Sequence, residues 1–302
     1  MSIQPLITEA ETEPVPASAP AATRSRLLAR VWRDRNGRVG LIVTGFLVLV
    51  AVLGAVGAVP HDPIAQHPDD RLQGPSAAYW FGTDQFGRDI AARVAVGIWT
   101  SLRVAVLSVA IATVIGSLLG ICAGFFRGWV DQVVSRFVDI LFAFPAILLA
   151  LAVVTALGTG WQNTAIAIAV VYTPIFARVS RGPTLSVGNA EYIKAQRVLG
   201  TPLPRVMLRH VLPNVSAPIV VQVTLALSWA ILTESSLSFL GLGTQPPAAS
   251  LGLMVSDARS TVANAWWTLT FPALAIVVAV IALNLLGDGL RSALDPRRES
   301  RS

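Results

Sequence analysis

The sequence predicts an all-α polytopic membrane protein with six transmembrane helices. Three observations carry that expectation. The 302 residues are 54% hydrophobic and only 13% charged, with a mean hydropathy of +0.64, whereas an ordinary soluble domain carries about 25% charge. Six apolar segments reach or approach the roughly 20 residues that cross a bilayer core as helix. The alternating pattern of barrel strands does not occur, so each span must satisfy its own backbone as a helix.

The elements follow in order. Residues 1–23 are rich in Ala, Pro and Glu and hold no apolar run, so a disordered tail is expected rather than a signal peptide. The remainder, 24–302, is expected to form one transmembrane domain. Spans are placed near Leu41–Val59, Val104–Phe126, Phe137–Leu157, Thr164–Ala177, Ala217–Leu240 and Leu269–Leu286. The first follows a cluster of arginines and is expected to be an uncleaved signal anchor. Pro145 interrupts the third span and Pro174 lies in the short fourth, and neighbouring helices can satisfy the backbone groups that such prolines free. Cys122, the single cysteine, falls inside the second span; it cannot form an intrachain disulfide and is expected to pack as a small apolar residue.

Charge sets the orientation. Of 23 Lys and Arg, 18 fall before the first span, in the second and fourth loops and in the C-terminal tail, against five on the other side. The positive-inside rule therefore puts both termini and the fourth loop in the cytoplasm.

That fourth loop, 178–216, is the most informative part of the chain. Its core, Asn189 to Asn214, has the pattern of two short amphipathic helices. Asn189 is expected to cap the first, with Glu191 in the first turn, where an acid suits the helix dipole. Tyr192, Ala195 and Leu199 fall on one face. Gly200 stands where a C-terminal cap turns left-handed, and Thr201-Pro202 opens the second helix. Leu203, Val206, Met207 and Val211 recur at helical spacing, and Pro213 is expected to end the run. A helix–Gly–helix with arginines is also compatible with a DNA-binding motif or a solvated loop. Nucleic acid is the poorer reading, because the hairpin is tethered to the membrane at both ends.

The segment resembles the EAA loop of ABC-importer permeases. Gly200, Leu212 and Pro213 match the family pattern, and Lys194-Ala195-Gln196 stands in its first triplet. His210 takes the place of Ile, as in the peptide-importer branch. The resemblance implies that 178–216 is a cytoplasmic coupling loop. It further implies that Tyr192, Ala195 and Leu199 seat in an ATPase groove while Glu191 pairs with a basic residue there.

Two outward pieces extend the resemblance. Gly82-Thr83-Asp84 and Gly87-Arg88-Asp89 match a signature of the same branch. Arg88 is expected to pair with Asp84 or Asp89, either as a structural loop held by surface ion pairs or as a contact for a binding protein. His61 and His67 near Asp62, Asp69 and Asp70 are too irregularly spaced to argue for a metal, and none is expected. In the fifth span, Thr233-Glu234-Ser235-Ser236-Leu237-Ser238 is also similar to that branch. A carboxylate in a span must face a cavity, a partner or the headgroups. Glu234, with Ser235 and Ser238, is therefore expected either at an outer gate or as a buried hydrogen-bonding partner at a permease–permease interface. Trp161, Trp266 and Trp267 fall where an aromatic belt would anchor their spans. Arg136 with Asp139, and Asp288 with Arg291, have the spacing of helical ion pairs.

Absent motifs narrow the function further. The chain has no P-loop, no nucleophile elbow and no His-Glu-x-x-His, so no catalytic residue, bound cofactor or enzyme activity is expected. No internal repeat of the kind that builds secondary transporters is evident. From Arg30 to Arg298, including the Leu294-Asp295-Pro296-Arg297 ending, the chain is similar to C-type permeases of dipeptide/oligopeptide/nickel ABC importers. The resemblance implies the type I ABC importer permease fold in a bacterial inner membrane. It also implies a heterodimer with a B-type permease embedded in membrane lipid, two cytoplasmic subunits that bind ATP and Mg, and an extracytoplasmic substrate-binding protein.

Overall fold

The computed structural model describes residues 24–294, and all of its long elements are helices. The proposed tail 1–23 and the Asp-Pro-Arg ending lie outside the described residues. In chain order the helices are α1 (Arg24–Arg33), α2 (Arg35–Ala55), α3 (Ile90–Phe126), α4 (Gly128–Phe142), α5 (Ala146–Leu157) and α6 (Trp161–Gly188). They continue with α7 (Glu191–Val198), α8 (Leu203–Val206), α9 (Leu212–Phe239), α10 (Leu251–Asp257) and α11 (Trp267–Leu294). Five are long and apolar enough to cross a membrane, counting α8 and α9 as one helix, and a sixth crossing arises if α4 and α5 are taken as one broken span.

The third span differs most from its expected form. Instead of one kinked helix over Phe137–Leu157, it is two helices meeting at 93°. Proline disfavours the helical conformation in the residue before it and removes a backbone donor. The chain therefore stops at Phe142 and restarts on the carbonyl of Pro145, which accepts from the amide of Leu149 at 3.0 Å. The fourth span, by contrast, is longer than expected and passes both Pro174 and Pro183. Hydropathy falls at Arg178 and Arg181, but the helix continues because those charges are met by α4. Arg181 donates two bonds to Asp131, at 2.6 and 2.7 Å. Arg178 reaches Asp139 at 3.4 Å and lies over the Phe142 ring. Asp139 thus pairs across helices with Arg178 rather than along its own helix with Arg136.

The second span also exceeds its expected bounds. At 37 residues, α3 is about 55 Å long, nearly twice the bilayer core. Its first turns, with Arg93 and Arg103, extend the helix beyond the span expected from Val104.

Small residues bring the helices together. Gly116, Gly120 and Gly124 repeat every four residues on α3 and meet Thr173, Ala177, Ser180, Arg181 and Thr184 of α6, the most extensive helix pair. The same device joins α2 to α11 where Gly37 meets Gly289, and α2 to α3 where Gly54 meets Ala95. Lipid tails are as apolar as leucine, so close backbone approach takes the place of the hydrophobic effect in this setting. Ser228 of α9 adds a cross-helix bond to Asn284 of α11 at 3.0 Å.

Candidate functional site

The loop hairpin is built at the end of α6. Asn189 closes α6 rather than capping α7, because its side-chain oxygen accepts from Arg127 at 2.7 Å while Arg127 also holds the Leu185 carbonyl at 3.1 Å. Glu191 stands in the first turn of α7, as expected. Gly200 has φ of +72°, and the amide of Thr201 reaches back to the Gln196 carbonyl at 3.0 Å, which closes the turn left-handed. The next helix does not stop at Pro213. α8 runs through a wide turn at Met207–Val211 into α9, with Pro213 in the first turn. The wide turn, in which the Leu212 amide reaches the Met207 carbonyl, loosens the ladder just before Pro213 and so accommodates its missing donor.

Two faces of the hairpin have opposite surroundings. Ile193, Val206 and Val211 are fully buried against the bundle. Tyr192, Ala195 and Leu199 are exposed together, and Val198 and Leu199 are 87% and 76% accessible. Tyr192 and His210 meet edge to face with centroids 6.4 Å apart. Asn214 joins them, donating to the His210 carbonyl at 2.6 Å and to the Tyr192 hydroxyl at 3.4 Å. Leu212 and Pro213 are exposed at the start of α9.

The Gly-Thr-Asp and Gly-Arg-Asp pieces fold into one largely buried ionic network, not into surface pairs. Asp84 accepts from the amides of Phe86 and Arg88 at 2.8 and 3.0 Å and from the Arg88 guanidinium at 2.6 Å. Arg93 lies 3.6 Å from the same carboxylate and donates to the Pro63 carbonyl at 3.0 Å. Arg88, Asp89 and Arg93 are all buried. Asp89 caps α3 through the Ala91 amide and holds His61 at 2.8 Å. Asp257, at the end of α10, approaches Arg88 at 3.9 Å. Burial pushes the Asp257 carboxyl above its ordinary range while Arg93 and Arg88 pull it down. Trp267 binds this loop directly. Its indole donates to the Thr83 carbonyl at 3.1 Å, fastening α11 to this loop.

Glu234 is enclosed within the chain. Its carboxylate accepts from Ser101 of α3 and from Ser238, each at 2.7 Å, and it is 1% exposed. Ser235 instead lines a cleft of about 340 Å³ with Leu232, Ser236, Phe239 and Gly252. Replacing Glu234 by alanine is expected to orphan two buried hydroxyls, at about 1–3 kcal/mol each. A lowered unfolding temperature in detergent checks this, with the Gln variant losing less because it keeps one acceptor.

Sequence reasoning missed Ser101, Arg93, Asp257 and the Asp131–Arg181 pair. Arg93 carried a signal, being a charge in an apolar run four residues after Asp89. Ser101 carried none, since only the fold brings it to Glu234.

A multi-span helical bundle with an exposed apolar hairpin and an ion-paired loop layer has the architecture of a membrane permease. The chain belongs to the family described as binding-protein-dependent transport system inner membrane component, which it matches over residues 114–300. It is 41% identical over 299 residues to the dipeptide transport system permease protein DppC of Alkalihalophilus pseudofirmus, covering 98% of each chain. It is 43% identical to the glutathione transport system permease protein GsiD of Pectobacterium atrosepticum, over 89% of this chain and 91% of that one. The di/tripeptide transport system permease protein DppC of Pseudomonas aeruginosa is 40% identical, over 93% and 96%. A chain from the inward facing conformations of the MetNI methionine ABC transporter superposes with a TM-score of 0.56 at 20% identity, covering 67% of this chain and 96% of that one. The protein is thus a permease subunit of an ABC importer, with the permease fold of that class and the ATPase on a separate subunit.

Proposed function

We propose that this permease carries di- or oligopeptides across the inner membrane of a bacterium and is driven through its 178–216 hairpin by cytoplasmic ATPases. The peptide assignment rests on the names of the relatives, which transport dipeptides, di/tripeptides and glutathione. The coupling assignment rests on one observation, the apolar tip of Tyr192, Ala195, Val198 and Leu199 that the described residues leave uncovered. In this reading those side chains seat in a groove of an ATPase and Glu191 meets a basic residue beside it. Gly200 keeps the turn compact, and His210, Leu212 and Pro213 carry movement of the tip into α9. Two such ATPases bind ATP and Mg, a B-type permease completes the pathway, and an extracytoplasmic binding protein delivers the peptide against the Asp84–Arg88–Asp89 layer. Both termini are cytoplasmic in this arrangement. Glu234, Ser235 and Ser238 act at the outer gate in this reading, with Glu234 tying α9 to Ser101 of α3; unchanged uptake in a Glu234→Gln transporter would exclude that role.

Gly200→Val tests the coupling reading. No neighbour would obstruct the added carbon, so the effect comes from the backbone. A β-branched residue held left-handed costs at least about 1–2 kcal/mol, and the turn is expected to open while the spans stay folded. Uptake and ATP hydrolysis are then expected to separate in proteoliposomes. A Gly200→Val transporter that still links the two overturns the assignment. Mass spectrometry of what purifies with the chain from its native membrane tests the partners, and loss of dipeptide uptake on deleting its gene tests the substrate.

A further inference from the structure

We propose that α1 is an interfacial helix that binds an anionic lipid leaflet and thereby sets the depth of the first span. The helix is two-sided: Leu28, Val31 and Trp32 recur at i, i+3 and i+4, and Arg30 and Arg33 stand in its last turn. It ends at Asp34, which caps α2 through the Gly37 amide at 2.9 Å, so α1 is a separate helix set against the span and not its first turns.

Val31 anchors α1 to the bundle. It is buried where Gly37 meets Gly289, and the helix packs on both α2 and α11. Leu28 and Trp32, on the same stripe, are 61% and 50% exposed. An apolar edge beside a basic one, at the mouth of a span, is the arrangement that lies in the plane of a membrane surface.

Charge selects the occupant. Arg24, Arg26, Arg30, Arg33, Arg35 and Arg38 fall within this short stretch, and Asp34, already engaged as a cap, is the one acid among them. Such a surface complements anionic headgroups, while the exposed Leu28 and Trp32 suit the acyl boundary just beneath. Each arginine near a charged leaflet strengthens binding roughly fivefold at ordinary salt.

The test uses the full chain in nanodiscs, with Cys122 replaced by serine and a nitroxide at Leu28→Cys. Labels at Phe46→Cys in α2 and Val198→Cys in the hairpin supply lipid and aqueous references. In phosphatidylcholine with phosphatidylglycerol, the Leu28 label is expected to match Phe46 in its accessibility to oxygen over a water-soluble relaxant. In phosphatidylcholine alone, or at high salt, it is expected to shift toward the aqueous reference. The Arg26→Gln/Arg33→Gln protein is expected to need roughly 25-fold more anionic lipid for the same signal. A label equally immersed with and without phosphatidylglycerol overturns the proposal. So does one shielded from both reagents, which would assign the face to protein, either another subunit or residues 1–23. None of these readouts depends on transported substrate or ATP.

Discussion

Asp84→Ala is expected to be the most damaging single change to the 56–89 loop. It leaves the Arg88 and Arg93 guanidiniums buried without their common carboxylate and strips two backbone amides in the Asp84–Arg88 turn of their acceptor. Removing one partner of a buried ion pair costs about 3–5 kcal/mol, a large share of the roughly 5–15 kcal/mol that holds a typical domain folded. The expected result is cleavage of the 56–89 loop by added protease at a concentration that spares the parent, with a lowered unfolding temperature in detergent. Asp84→Asn should fall between them, because it keeps an acceptor for the amides and loses the charge. If Asp84→Ala is as resistant as the parent, the network does not brace this layer.

Gly120→Leu is expected to be comparably severe at the centre of the bundle. A side chain there would overlap the Ala177 carbonyl and the Ser180 hydroxyl of α6. Neither can withdraw, since one is backbone and the other already bonds within its own helix at 2.8 Å. Overpacking of a tight core costs about 1–3 kcal/mol, occasionally more. The relief available here is separation of α3 from α6, which also exposes Gly116 and Gly124. The expected outcome is loss of a monodisperse detergent-solubilised species, with Gly120→Ala milder. Gly45, where an added carbon meets nothing within 4 Å, is the control: Gly45→Leu should purify normally.

Much of this was legible in the sequence because its physical origin is local. Apolar length and the excess of basic residues are one-dimensional properties, and the left-handed Gly200 follows from its place between two helical runs. That Tyr192, Ala195 and Leu199 share a face followed from spacing; that this face is uncovered is decided by the packing of Ile193 on the other side. The glycine stripe of α3 was readable in principle as a small residue every fourth position. Its partner was not, because Thr173, Ala177 and Ser180 of α6 are found only by the packing.

The sequence by itself determined the class of protein, the approximate spans and the position of the hairpin, since each rests on composition or spacing over neighbouring residues. Arg88 pairs locally with Asp84 as its spacing suggests, but tertiary structure alone decided other polar pairings. Asp139 chose Arg178 over Arg136, Asn189 chose Arg127 over the amides of α7, and Glu234 found Ser101, 133 residues away. A polar group takes a partner that the packed helices bring within hydrogen-bond reach, and for Asp139, Asn189 and Glu234 that partner lies outside their own helix.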